Sequence, residues 1–117
     1  MRRATIGRTV VLALAALVST LAWAEPARVI GVEAKRFQFT PAELTVKVGQ
    51  PVTLRVTSAD VTHGFYQKEL GIDAEIAPGR TTEVTFTPAR AGRFTVICDH
   101  FCGSGHGNMH LVVVAAE

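Results

Sequence analysis

Hydrophobic and polar residues alternate along several short stretches of the chain. The alternation is clearest at residues 44–48 and 52–56, where every second residue is Leu or Val and those between are Thr, Lys or Arg. It recurs at residues 29–34 and 83–87. Because successive side chains of a strand point to opposite faces, this period of two predicts strands with one face buried.

Turns rich in glycine and proline separate these stretches, at Gly49–Pro51, Pro78–Arg80 and Pro88–Gly92. Two further apolar stretches, Phe94–Ile97 and Leu111–Val114, lie near the end of the chain. Short strands joined by such turns are typical of an all-β Greek-key sandwich. The pattern is weaker at Gln67–Ala77, where we expect a loop with a helical turn.

Residues 1–24 have the pattern of a secretory signal peptide. Three arginines precede or flank the start of an apolar run, residues 10–21, and a small-x-small cleavage pattern ends at Ala24. The apolar run is shorter than the ~20 residues of a membrane-spanning helix, which favours cleavage over an uncleaved anchor. An arginine pair at the start is compatible with twin-arginine export. We therefore expect one mature domain, residues 25–117, that is periplasmic or secreted and not inserted in the membrane.

Removing this leader changes the charge of the protein. The whole chain has 12 Lys and Arg against 10 Asp and Glu, and the leader has three Arg and no acidic residue, which leaves 9 basic and 10 acidic residues. A net charge near −1 argues against binding to nucleic acids or anionic membranes. The remaining 93 residues suffice for one small domain, expected to be a monomer.

A twelve-residue loop after the strand that ends at Ile97 carries the chemistry. It holds two thiols, Cys98 and Cys102, an imidazole, His106, and a thioether, Met109. Sulfur and imidazole are the donors that suit copper, whereas carboxylate and carbonyl oxygens suit magnesium, calcium and manganese. Three alternating glycines within the loop are expected to take positive φ and so to bring its donors together.

His63, in the stretch Asp60–Phe65 after an earlier strand, is the candidate for a further ligand. A mononuclear copper of this class takes two imidazoles and a thiolate with a weak axial thioether. His63 and the four donors of the loop make five side chains, one more than a four-coordinate metal uses. Either one sulfur is surplus, or two metals share the two thiolates.

The motif Cys-x-x-x-Cys-Gly-x-x-His-x-x-Met, with Asp-Val-x-His upstream, resembles the CuA motif of cytochrome c oxidase subunit II and related cupredoxin domains. Stretches at Phe37–Pro41, Glu69–Asp73 and Ala77–Thr81 are also similar to that domain, so the resemblance covers residues 37–113. It implies a cupredoxin-like Greek-key β-sandwich that binds two copper ions in a CuA-type site.

The resemblance also implies a role for each donor. Cys98 and Cys102 would bridge the two coppers, and His63 and His106 would each bind one of them. Met109 would be a weak thioether ligand to one copper, and the backbone carbonyl of His100 would serve the other.

The sequence departs from subunit II at a few positions. His100 stands where the family usually has Glu, and His110 follows the methionine where the family generally has Pro. The single tryptophan lies in the leader, so the Trp-containing stretch that receives electrons from cytochrome c in the family has no counterpart. We expect the side chains of His100 and His110 to face solvent or hydrogen-bond near the metal, and Phe65 and Phe101 to pack around it.

Several simpler interpretations compete with the copper site. A Cys98–Cys102 disulfide would close a very short loop and would leave His63, His106 and Met109 without a role. Met109 is also compatible with a place in the core, and the Cys/His set with zinc or with a catalytic thiol.

The sequence predicts an exported copper protein that transfers electrons and is not an enzyme by itself. It would be an electron carrier, or the electron-entry module of a respiratory oxidase, with an unidentified redox protein as partner. A mononuclear type 1 copper carrier using His63, Cys102, His106 and Met109 is the first alternative. A copper chaperone or storage protein that supplies an oxidase is the second.

Overall fold

The computed structural model describes residues 7, 13, 15–17 and 27–117, so the predicted signal peptide lies almost wholly outside the described residues. Nine strands, β1 to β9 in chain order, and one 3₁₀ helix between β8 and β9 make up the regular structure of the described part. The strands are Arg28–Lys35, Gln38–Thr40, Glu43–Lys47, Val52–Ser58, His63–Gln67, Ile72–Ile76, Thr82–Phe86, Gly92–Ile97 and His110–Ala116, and the 3₁₀ helix is His106–Asn108.

The strands form two sheets, one with the order β2-β1-β4-β7 and one with the order β3-β9-β8-β5-β6. Most neighbours are antiparallel, but β1 pairs with β4 and β3 pairs with β9 in parallel. The chain crosses between the sheets, so that strands distant in sequence become neighbours. The predicted all-β sandwich of the cupredoxin-like, Greek-key type is confirmed.

The core lies between the two sheets and follows the predicted alternation. On β4, Val52, Leu54 and Val56 are fully buried, while the residues between them are exposed or half-buried. On β3, Leu44 and Val46 are buried in the same way. The period of two therefore identified the core face of each of these strands.

The stretch Gln67–Ala77 differs from its predicted loop with a helical turn. It is a hairpin, in which β5 and β6 pair in register from His63 opposite Ile76 to Gln67 opposite Ile72. Gly71 closes the turn with φ of 68°, and its amide donates to the Lys68 carbonyl at 3.0 Å. Ile72 and Ile76 are buried, while the acidic residues between them are exposed. The alternation was therefore present but short.

The strand ends bring distant parts of the chain to one end of the sandwich. Cys98 follows β8 directly, Met109 precedes β9, and the Cys98 amide donates to the Met109 carbonyl at 3.2 Å. His63 is the first residue of β5, which lies beside β8 in the same sheet. Among the described residues, we find no helix with the length and apolar character to cross a membrane.

Candidate metal centre

The loop from Cys98 to Met109 is folded back on itself. The 3₁₀ helix near its end is held by hydrogen bonds from the His106 amide to the Gly103 carbonyl and from the Asn108 amide to the Gly105 carbonyl, both 3.2 Å long. The pairing of β8 with β9 fixes the two ends of the loop at the edge of the core. The loop is thus a compact fold on a rigid base.

Three predicted ligands meet at this end of the sandwich. The donor atoms of His63, Cys98 and Cys102 all lie within 4.8 Å of one another. All three residues are buried, with exposed fractions of 0%, 4% and 4%. Within residues 27–117 and the few described before them, this is the group of His, Cys, Asp and Glu side chains with the geometry to hold a metal ion.

The sulfur atoms form a continuous series. The Cys98 and Cys102 Sγ atoms are 3.6 Å apart, and the Cys102 Sγ lies 3.9 Å from the Sδ of Met109, which is 1% exposed. The Sγ–Sγ distance is far longer than the ~2.05 Å of a disulfide, and both thiols are free. The Cys98 Sγ also lies 3.2 Å from the His100 carbonyl oxygen and accepts from the Gly64 amide at 3.4 Å.

Each of the two predicted histidine ligands has a buried nitrogen without a partner. Among the described residues, Nδ1 of His63 and Nδ1 of His106 are the buried side-chain nitrogen or oxygen atoms that lack a hydrogen bond. Buried polar atoms are nearly always paired, so two orphaned imidazole nitrogens at one site indicate a ligand. His106 is outside the three-residue group described above.

Asp60 fixes the orientation of the His63 ring. Its Oδ1 lies 2.7 Å from His63 Nε2, and the carboxylate also accepts from the Arg36 amide at 2.8 Å and the Val61 amide at 2.7 Å. Desolvation acts to raise the pKa of Asp60, but these hydrogen bonds hold the pKa well below its ordinary value. Because an ionised carboxylate only accepts, Nε2 carries the proton and Nδ1 is left with a free lone pair for a metal.

Burial raises the pKa of the Cys102 thiol to about 11, and the hydrogen bond with Cys98 acts in the same direction. A thiol in this environment is protonated at neutral pH. A metal that binds the Cys102 sulfur would therefore displace a proton, and its positive charge would stabilise the thiolate.

The other residues predicted to lie near the metal differ in burial. The side chains of His100 and His110 are exposed, as predicted, and His110 Nδ1 hydrogen-bonds the Asn108 carbonyl at 3.0 Å. Phe65 is fully buried, but Phe101 is 72% exposed, so the expectation that it packs around the metal is wrong. Phe101 instead contacts His106 edge to face, with ring centroids 5.4 Å apart.

The glycines of the loop serve two different purposes. Gly103 takes a φ of 142°, which side-chain-bearing residues rarely adopt, but Gly105 has a φ of −95°, so the expectation of positive φ at all three is wrong. A Cβ at Gly105 would lie 2.6 Å from the ring of Phe37. Gly105 is therefore required by close packing, while the space beside Gly107 is open.

Sequence reasoning missed the contribution of the turn between β1 and β2. The Arg36 Nε donates to the Cys102 carbonyl at 2.7 Å, and the ring of Phe37 covers Gly103 and Gly105. Arg36 and Cys102 are 66 residues apart, so local pattern carried no signal for this contact.

Comparison with known proteins identifies the family of the chain. The sequence model of the cupredoxin-like domain family matches residues 8–113, a range that begins within the predicted leader. Cytochrome c oxidase subunit 2 of Thermus thermophilus is 33% identical over 105 residues, which cover 81% of this chain and 78% of that protein. A second subunit 2 sequence from Thermus thermophilus gives the same identity over 81% of this chain, but the chain spans only 62% of its length.

The fold has a counterpart among solved structures. The periplasmic domain of subunit II of cytochrome oxidase of Bradyrhizobium japonicum matches with a TM-score of 0.72 at 24% identity, over 81% of this chain and 88% of that one. At this level of identity the match concerns the fold. The same β-sandwich fold thus occurs in subunit II of an oxidase, the same kind of subunit as the sequence relatives.

Proposed function

The chain belongs to the cupredoxin-like domain family and has cytochrome c oxidase subunit 2 among its homologues, and from this premise we propose that it is an electron-transfer protein with a dinuclear, CuA-type copper site. The site would use six donors: the side chains of His63, Cys98, Cys102, His106 and Met109 and the carbonyl oxygen of His100. In this proposal both thiolates and both imidazoles would hold the metals.

One observation carries the proposal. The two cysteine sulfurs lie 3.6 Å apart without forming a disulfide, and two imidazoles at the same site each have a buried nitrogen without a hydrogen-bond partner. With the nearby Met109 sulfur the site has five soft donors, so a single four-coordinate metal would leave at least one of them unused. Two metals would use all of them. Asp99 is the only carboxylate in the loop, and it is exposed.

The protein's own residues keep the site in one geometry. Strand pairing fixes both ends of the ligand loop, and Asp60 holds the His63 ring. Cys98, Cys102 and Met109 are all buried, so the sulfur atoms are shielded from water. Copper in such a site supplies a one-electron couple, and a rigid, dry surrounding leaves little to rearrange when the oxidation state changes.

The exposed aromatic surface beside the site supports a protein partner. Phe101 is 72% exposed and Phe37 is 39% exposed, and both lie against the ligand loop. A hollow of about 210 Å³ runs between Val61 and Phe101 over the Cys102 segment. We propose that a redox protein docks here and that the chain acts as a carrier, or as an electron-entry module of a terminal oxidase, and not as an enzyme by itself.

We also propose that residues 1–24 are removed on export and that residues 25–117 act as one monomeric domain in the periplasm or outside the cell. The leader pattern supports this, and the fold's counterpart in Bradyrhizobium is a periplasmic domain. Mass spectrometry of the exported protein would test it: a mature chain that starts at Glu25 is expected, and a retained leader would contradict it.

A mononuclear type 1 site is the second candidate. It would use His63, Cys102, His106 and Met109, and it is favoured by the distance of 3.9 Å between the Cys102 Sγ and the Met109 Sδ. In that site Cys98 would be a bystander rather than a ligand.

Copper analysis with electron paramagnetic resonance on the oxidised, copper-loaded protein separates the two candidates. We expect two coppers per chain that share one unpaired electron equally. One copper with a mononuclear hyperfine pattern would contradict the dinuclear proposal. Copper held only as Cu(I), readily stripped and without an oxidised signal, would instead indicate a chaperone or storage protein.

A further inference from the structure

Arg36 contacts both halves of the metal centre through different parts of the residue. Its side-chain Nε donates to the carbonyl oxygen of Cys102 at 2.7 Å. Its backbone amide donates to Asp60, whose other oxygen holds the ring of His63. The residue lies in the turn after β1, far in sequence from the ligand loop that it contacts.

We propose that Arg36 is a positioning residue of this centre, whose guanidinium holds the Cys102 segment of the ligand loop in place and favours the reduced state of the bound metal. This inference rests on the proposed copper site. It concerns the side chain, because any substitution other than proline keeps the amide that binds Asp60.

The hydrogen bond acts on the Cys102–Gly103 segment of the ligand loop. Cys102 precedes Gly103, which has a φ of 142°, and a glycine loses more backbone freedom on folding than any other residue, so a contact that holds this segment offsets an entropic cost. A charged donor to a carbonyl is among the stronger hydrogen bonds in proteins. Phe37, the next residue, covers Gly103 and Gly105, so the same turn closes the loop by packing as well.

The charge acts on the redox equilibrium. A metal centre becomes more negative when it accepts an electron, so a positive charge nearby stabilises the reduced state. The guanidinium is partly exposed, and solvent and salt will screen this effect. Loss of the charge should therefore lower the reduction potential, and added salt should shrink the difference.

Arg28 offers a matched control at the opposite end of β1. Its guanidinium also donates to a backbone carbonyl, that of Thr45, at 2.9 Å. Eight residues along the strand place it about 25 Å from Arg36. Arg28→Met and Arg36→Met therefore remove the same charge and the same kind of bond, at sites far from and next to the ligands.

The test compares Arg36→Met, Arg36→Lys and Arg28→Met in the full chain. In the copper-free proteins, we expect amide hydrogen exchange of residues 103–106 to accelerate in Arg36→Met and to stay unchanged in Arg28→Met. In the copper-loaded proteins, Arg36→Met should release copper to a chelator about tenfold faster, the effect of losing one charged hydrogen bond. Its reduction potential should fall, while that of Arg28→Met should not.

Arg36→Lys separates the bond from the charge. Lysine keeps the positive charge but not the planar Nε–H, so the potential should return toward that of the unmodified protein while copper release stays fast. If Arg36→Met fails to fold, Arg36→Lys still tests the bond through exchange and copper release.

Two results would overturn the proposal. One is an Arg36→Met protein whose loop exchange and potential match those of Arg28→Met, and the other is an Arg36→Lys protein with unmodified exchange and copper release. The exchange measurement needs no metal, so failure here is distinguishable from failure of the copper assignment, which would appear in the metal content and the paramagnetic spectrum.

Discussion

At the scale of single residues, the candidate site also depends on residues that are not proposed as metal ligands. Asp60 holds the His63 ring, and Gly64 lets the Asp60–Phe65 segment approach the ligand loop. Both residues lie beside His63, a proposed ligand that is completely buried. Their effects can be measured separately because Asp60 acts through hydrogen bonds and Gly64 acts by leaving room for the ligand loop.

Asp60→Asn should weaken the centre while the fold remains. An amide keeps the shape of the side chain but loses the charge and cannot accept from both the His63 ring and the Arg36 amide. We expect copper affinity to fall by about 10-fold or more, as is usual when the partner of a ligating histidine is lost. Competition with a copper chelator measures this, and Asp73→Asn, an exposed carboxylate on β6, is the control. Equal affinities in the two variants would contradict the role of Asp60.

Gly64→Ala should destabilise the protein through a steric clash. A Cβ at this position would lie 2.5 Å from the His100 amide nitrogen and 2.7 Å from that of Asp99, so backbone has to move. Overpacking of this kind typically costs about 1–3 kcal/mol. Gly107→Ala, in the same loop but facing open space, should change the free energy of unfolding by less than ~0.5 kcal/mol. Urea unfolding of the copper-free proteins measures both, and similar values for the two variants would contradict the expected clash.

At the scale of strands and loops, the alternation of residues predicted most elements, and short or irregular stretches were missed. β3, β4 and β7 follow their predicted positions, since each buries every second residue over a full strand. β6 was missed because its five residues include an alanine at the central inward position, which weakens the apolar signal. The ligand loop was correctly predicted to fold back on itself, but its glycines are required for different reasons, Gly103 for its positive φ and Gly105 for close packing.

The core face of β4 should dominate stability without affecting the copper spectrum. Leu54 is fully buried and pairs with Val84 of β7, so Leu54→Ala should lower the free energy of unfolding by about 2–5 kcal/mol. Arg55→Ala, on the opposite face of the same strand, loses an exposed ion pair with Glu83 and should cost no more than ~1 kcal/mol. Urea unfolding with absorption spectra of the loaded variants tests this. A spectral change in Leu54→Ala would show that the core sets the site's geometry directly.

At the scale of the whole molecule, sheet order assembles the centre. β5, β8 and β9 belong to one sheet. His63 begins β5, Cys98 follows β8 and Met109 precedes β9, so the three residues lie at the same end of the sandwich. β1 lies in the other sheet, and Arg36, which follows β1, contacts Cys102 at the same end of the sandwich. The metal would therefore link the segments at this end of the sandwich that carry its proposed ligands, so its removal is a test of global stability.

Removal of copper should lower the melting temperature while the protein keeps its fold. A ligand at about 1,000 times its Kd stabilises the folded state by about 4 kcal/mol. At ~4–8 °C per kcal/mol for a domain of this size, chelation should lower the melting temperature by more than about 10 °C. Calorimetry with and without chelator measures the change, and a Cys98→Ser/Cys102→Ser variant should show none. An unchanged melting temperature in the unmodified protein would contradict a tightly bound metal.

The sequence by itself determined the fold class and the chemistry of the donors. Alternation is a local consequence of the pleated strand, and the softness of thiol, thioether and imidazole donors belongs to the residues wherever they lie. Only the tertiary structure decided that Nδ1 of His63 is the nitrogen left free, that Phe101 is exposed, and that Arg36 reaches Cys102. Those properties depend on which segments the sheets bring within hydrogen-bonding distance, and contacts across 66 residues leave no periodic trace in the chain.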